Sequence, residues 1–126
     1  MSGRTILFAG GGSGGHISPA LAIAEAIETI DDDATLLFAC SDRDIDRDML
    51  NESGRTAIPL PARPSSLRPN HLMRFLRGFR ASRRVVRSLI EQRHIDVTIL
   101  LGGYVAAPAA AASRSAGVPS MMVNLD

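Results

Sequence analysis

The stretch Gly10–Pro19, GGGSGGHISP, places five glycines in six positions, then a histidine and, three residues on, a proline. Glycine loses more conformational freedom on folding than any other residue, so a cluster this dense needs a reason, such as a tight turn or close approach to a ligand. Gly10, Gly12 and Gly15 satisfy the G-x-G-x-x-G spacing of dinucleotide-binding turns, a short pattern of low specificity. His16 and Pro19 are not part of that pattern. His16 stands just before a predicted helix, whose positive dipole end disfavours the imidazolium form. A neutral imidazole at such an edge can act as a general base towards a hydroxyl. The alternative is that His16 caps the helix or hydrogen-bonds a ligand.

A second glycine turn, Gly102-Gly103-Tyr104, lies far along the chain. The elements between the two decide whether they can meet. TILFAG (5–10) is an aliphatic run ending in glycine, the pattern of a strand buried on both faces. Helical spacing of apolar residues then runs from Ile17 to Ile30, with Pro19 in the first turn, where its missing N–H costs nothing. Asp31–Asp33 break that helix. ATLLFAC (34–40) reads as a second strand, and a charged helix spans Asp42 to Glu52. TAIPL (56–60) reads as a third strand, which Pro59 assigns to a sheet edge. After a proline-rich loop, a long helix is expected from His71 to Arg93, with Leu72, Phe75, Leu76, Phe79, Val86, Leu89 and Ile90 forming a stripe largely in the core. DVTILL (96–101) is the fourth strand. The alanine-rich stretch after GGY is a helix packed close to the sheet, and PSMMVNLD is a fifth strand.

Alternating strands and helices imply right-handed crossovers and an α/β fold: a Rossmann-like parallel sheet with helices on both faces. With strand order 3-2-1-4-5, the first and fourth strands are neighbours at the topological switch point. Their two glycine turns then face one another across the crevice where such folds bind ligands. Helix amino termini on that edge favour negative charge. A Walker phosphate loop is excluded, because Gly15 is followed by His16-Ile17 rather than Lys-Ser/Thr. A dinucleotide remains open, since Asp42 near the end of the second strand could take the ribose-binding role.

The chain of 126 residues suits one domain, and its aromatic content of 4% makes the core aliphatic. A lone cysteine, Cys40, lies in an apolar run and reads as a buried structural thiol. No apolar run reaches the roughly 20 residues of a spanning helix, and the amino terminus lacks a secretory pattern, so the expected location is the cytoplasm. All 14 basic residues are arginine, and eight fall between Leu67 and His94 against the single acid Glu91. Such a face is either a solvated side of an amphipathic helix or a surface for anionic lipid headgroups, with Arg74, Arg77, Arg80 and Arg84 as candidates. A net charge of +1 and the lack of a recognisable binding motif argue against nucleic acid.

GGSGGHISPALAIAEAI (11–27) resembles the first glycine loop of the MurG glycosyltransferases, and LGGYVAAPAAAASRSAGVP (101–119) resembles their later GGY loop. The resemblance implies the GT-B fold, in which this chain is the N-terminal, acceptor-binding Rossmann-like domain. It implies transfer of N-acetylglucosamine from UDP-N-acetylglucosamine to a lipid-linked muramyl-pentapeptide, with inversion, without a metal ion or other cofactor, at the inner face of the cell membrane. By the same resemblance His16 is the catalytic base. Gly11, Gly12, Ser13, Gly14 and Gly15, with Gly102, Gly103, Tyr104 and Asn124, would hold the acceptor and its diphosphate.

Two departures from the family pattern carry expectations of their own. Where the family has HEQN, this chain has Val123, Asn124, Leu125 and Asp126, so the acceptor changes or activity weakens. The donor-binding C-terminal domain is absent from residues 1–126, so the chain is expected to be a fragment or a half needing a partner, and inactive alone. Two other readings compete: a non-catalytic Rossmann module binding a dinucleotide at Gly10–Gly15, and a membrane-recruiting subunit of a split transferase.

Overall fold

Three of the central strands owe their position to aliphatic side chains on both faces. In β1 (Thr5–Gly10), Ile6 and Phe8 point to one layer and Leu7 and Ala9 to the other, and all are buried. β2 (Thr35–Ser41) divides Phe38 and Cys40 from Leu37 and Ala39 in the same way, and β4 (Val97–Gly102) divides Ile99 and Leu101 from Leu100. The period-2 alternation of side chains makes each run serve two cores at once. The computed structural model describes residues 3–11, 17–64 and 68–123.

These residues form a five-stranded parallel sheet in the order β3-β2-β1-β4-β5, as the sequence predicts. β3 (Ala57–Leu60) and β5 (Ser120–Met122) are the edges, and Pro59 sits on the outer strand, where a missing N–H is tolerated. α1 (Ile17–Ile30) and α2 (Asp44–Glu52) supply one hydrophobic layer, around the stacked rings of Phe8 and Phe38 at 4.9 Å. α3 (Pro69–Arg93) and α4 (Ala106–Ser115) cover the other. Ala106, Ala109 and Ala112 are the buried side of α4; their small size lets the helix lie close to β4, and Thr98 and Ser113 share a buried hydroxyl hydrogen bond of 2.8 Å there.

Three expectations need correction. α3 starts at Pro69, two residues before His71, because a proline in the first turn forfeits no intrahelical bond. α2 starts at Asp44 rather than Asp42, since β2 stays extended through Ser41 and Asp42 turns away to pair with Arg63. The α3 stripe is core only in its second half: Val86 and Ile90 are buried, whereas Leu72 and Leu76 are each 40% exposed. In the first half the buried register is held by Gly78, which brings the helix backbone onto the β3 exit.

Candidate functional site

The carboxyl edge of the sheet brings the two glycine turns together. β1 and β4 pair in register from Ile6–Val97 to Ala9–Leu100, and then the register slips by one. Leu101 is the extra residue, and Gly10 lies opposite Gly102. Gly102 and Gly103 follow with φ of 100° and 77°, and Gly11 has φ of 143°, all in the region that side-chain-bearing residues avoid. The neighbouring of the β1 and β4 exits expected from strand order is therefore present, with Gly10 opposite Gly102.

Each glycine turn feeds a helix whose first turn lacks an acid and carries a proline at its third position, Pro19 in α1 and Pro108 in α4. Val105, at the amino cap of α4, offers no side-chain acceptor, while Ala106 N–H bonds back to Gly103 O at 3.3 Å. Uncapped N–H groups and the helix dipole make this a place for negative charge. Of the residues predicted to bind the acceptor, Gly11 is buried, Gly102 and Tyr104 are half-buried and Gly103 is exposed. Gly12, Ser13, Gly14, Gly15, His16 and Asn124 lie outside the described residues.

Against Gly11 sits a residue that sequence alone does not single out. Asp46, in the first turn of α2, is fully buried, and its Oδ2 accepts the Ser41 N–H at 3.2 Å and the Ser41 hydroxyl. That oxygen also faces Gly11, where a Cβ would come nearer than real Cβ atoms approach any neighbour. The sequence shows only a charged helix here, yet Asp46 is four residues before the buried Leu50 and so shares its side of the helix. Cys40, on the same layer, is buried as expected; desolvation pushes its thiol up to about 12, with the Asp46 charge adding to the effect.

Asp42, the acid considered for a ribose, is exposed and held by Arg63, whose Nη1 lies 2.9 and 3.1 Å from its two carboxylate oxygens. Arg74, Arg77, Arg80 and Arg84 are all exposed on α3, a helix with seven arginines and one glutamate. Leu72, Met73 and Leu76 are exposed beside them. A cleft of about 450 Å³ between this helix and the β3 exit is lined by Pro61, Arg63, Arg74 and Arg77. Among the described residues, no group of three His, Cys, Asp or Glu could hold a metal ion, and no helix is long and apolar enough to cross a membrane.

Residues 6–123 match the glycosyltransferase family 28 N-terminal domain. A UDP-N-acetylglucosamine--N-acetylmuramyl-(pentapeptide) pyrophosphoryl-undecaprenol N-acetylglucosamine transferase of Bifidobacterium longum is 35% identical over 115 residues, covering 90% of this chain and 29% of the relative. The transferase of the same name from Leifsonia xyli is 36% identical over 117 residues, covering 92% of this chain and 33% of its own length. The chain thus spans about a third or less of these curated relatives. The crystal structure of Acinetobacter baumannii MurG superposes with a TM-score of 0.71 at 21% identity, over 94% of this chain and 33% of that one. The fold is that of the Rossmann-like unit found in GT-B glycosyltransferases. With its sheet order and paired glycine turns in place, the chain belongs to the glycosyltransferase family 28 N-terminal domain family.

Proposed function

We propose that this chain is the acceptor-binding domain of an inverting, UDP-N-acetylglucosamine-dependent glycosyltransferase of peptidoglycan precursor synthesis. The observation that carries the reading is the pairing of Gly10 with Gly102, which sets the start of the first glycine turn beside the second, whose helix α4 has no side-chain cap. Such an edge suits a diphosphate, and the curated relatives are named for a pyrophosphoryl-undecaprenol acceptor. Gly11–Gly15, Gly102, Gly103, Tyr104 and Asn124 would hold the acceptor. His16 would take the proton of the acceptor hydroxyl as its oxygen attacks the anomeric carbon and UDP departs. UDP-N-acetylglucosamine itself would be bound by a C-terminal domain or a partner chain, without which no transfer is expected.

The second element of the proposal is peripheral attachment to the cytoplasmic face of the cell membrane. Exposed Leu72, Met73 and Leu76 interleaved with Arg74, Arg77 and Arg80 support it, since apolar residues can enter the headgroup boundary while arginines meet anionic lipid. Dinucleotide binding is disfavoured because Asp42 is already engaged by Arg63.

The test is UDP release by the complete enzyme that contains this domain. His16→Ala is expected to lower turnover by about a hundredfold, the usual scale for loss of a general base. A loss below about tenfold would make His16 a binding residue and remove it from the chemistry. Measuring the intact mass of the native gene product first, against 13.4 kDa for this chain, decides whether the donor site is in the same polypeptide.

A further inference from the structure

We infer that Asp46 is a positioning residue for Gly11 at the exit of β1, an inference that rests on the reading of Gly11 as part of an acceptor-diphosphate site. Its buried carboxylate joins two turns of the sheet edge. Oδ2 receives the Ser41 N–H at 3.2 Å and the Ser41 hydroxyl, and Ser41 Oγ in turn receives the Arg43 N–H at 3.3 Å. This chain of bonds satisfies backbone donors where β2 ends and α2 begins, although Arg43 at the cap position has no capping side chain. The same Oδ2 fills the space a side chain would need at residue 11, so the β1 exit rests directly on it.

A carboxylate is an odd choice for this place if stability alone is served. Burying a charge is costly, and the exposed Asp44 already supplies an acid to the amino-terminal turn of α2. Nor does the charge favour the ligand, because a negative group beneath an anion site repels it. What the carboxylate does provide is a fixed, hydrogen-bonded stop against Gly11. The placement of Gly11, the last described residue before the turn, follows from that stop, and displacements near 1 Å at such positions can cost about a hundredfold in function.

The electrostatic and positioning effects have opposite signs, which makes them separable. Asp46→Ala removes both charge and stop; Asp46→Asn removes the charge but keeps the size and one acceptor oxygen for Ser41. Inorganic pyrophosphate would be titrated calorimetrically into the full 126-residue chain and both variants, with the binding stoichiometry reporting the folded fraction. Positioning predicts that Ala weakens pyrophosphate at least tenfold and that Asn restores affinity to within threefold of the original. Tighter binding by both variants, or unchanged binding by Ala, would overturn the proposal.

A ligand-free measurement separates this inference from the reading beneath it. Gly11→Ala would be made in the original chain and in the Asp46→Ala background, and urea unfolding compared. If Oδ2 is the stop, Gly11→Ala lowers the folding equilibrium constant at least tenfold less when Asp46 is gone. Additive effects refute the role of Asp46 whatever the ligand. Coupling in a chain that ignores pyrophosphate upholds the placement of Gly11 by Asp46 and refutes the acceptor reading instead.

Discussion

Replacing Gly78 by alanine sets two known effects against each other, and the structure says which wins. In an exposed helix interior, Gly→Ala stabilises by about 1 kcal/mol, because glycine gives up more backbone entropy. At residue 78 of α3, however, the added Cβ would lie 2.5 Å from the Pro61 carbonyl oxygen, 3.2 Å from Arg63 N and 3.4 Å from Ala62 C. All three neighbours are backbone, so no rotamer change relieves the contact. Either the helix or the β3 exit must retreat by several tenths of an ångström, and with backbone on every side the cost falls in the upper part of the usual overpacking range, about 2–3 kcal/mol. The helix is also anchored further along by the buried Ser82, Val86 and Ile90, which resist a tilt.

The expected net effect is a destabilisation of about 1–2 kcal/mol, with the sign opposite to the propensity scale. Urea unfolding should show a lower midpoint at unchanged slope, and a fall of about 4–7 °C in Tm for a domain of this size. A variant that is more stable than the original would refute the seating of α3 on the Pro61–Arg63 backbone. It would also undo the cleft that places Arg63 opposite Arg74 and Arg77.

Two further predictions concern titrating groups. Because burial pushes Cys40 up to about 12 from an unfolded value of 9.0, the folded thiol should resist iodoacetamide at pH 8 and react only on unfolding. The unfolded thiol loses its proton first, so the associated stability is complete below pH 9 and declines towards pH 12; at pH 10 the loss is roughly 1.4 kcal/mol, and a Cys40→Ala chain should lack this alkaline step. Prompt alkylation of the folded chain would contradict the burial. Arg55 donates two hydrogen bonds of 2.7 and 2.5 Å to Glu28 and holds its carboxyl below the ordinary value of 4.5. This contribution is present above pH 4.5 and fades as the pH falls through the lowered value, and in Arg55→Met an NMR titration should find Glu28 back near 4.5. An unmoved titration would mean that another group holds the proton off.

The sheet was legible because its inner strands are buried on both faces and therefore appear as unbroken aliphatic runs, separated by glycine and aspartate punctuation. What periodicity could not show was how close two backbones come. On α3 the apolar pattern assigned Leu72 and Leu76 to the core, but a glycine with no side chain gives a nearer approach than a leucine, so Gly78 took the buried register and the leucines turned outward. Asp46 was hidden for a related reason. Its polarity suggested solvent, while its burial depends on Ser41, five residues earlier and on another element, turning a hydroxyl and an N–H towards it. Residue types read one at a time do not reveal such a pairing.

The same limit explains the one feature of the site that the sequence placed only approximately. Strand order alone makes the β1 and β4 exits neighbours, but uninterrupted pairing from Ala9–Leu100 would set Gly10 against Leu101. The glycines of the two turns would then be out of step by a residue. The slip after Ala9 keeps Leu101 in the hydrophobic layer with Ile99 and advances β4 so that Gly102 meets Gly10. An irregularity of this kind interrupts the regular backbone pairing, and such interruptions concentrate at sheet ends next to functional sites. Related folds carry many activities, so the sheet itself says little about chemistry. The paired glycines say more, since a sheet built only for stability gains nothing from setting Gly10 against Gly102 at its carboxyl edge.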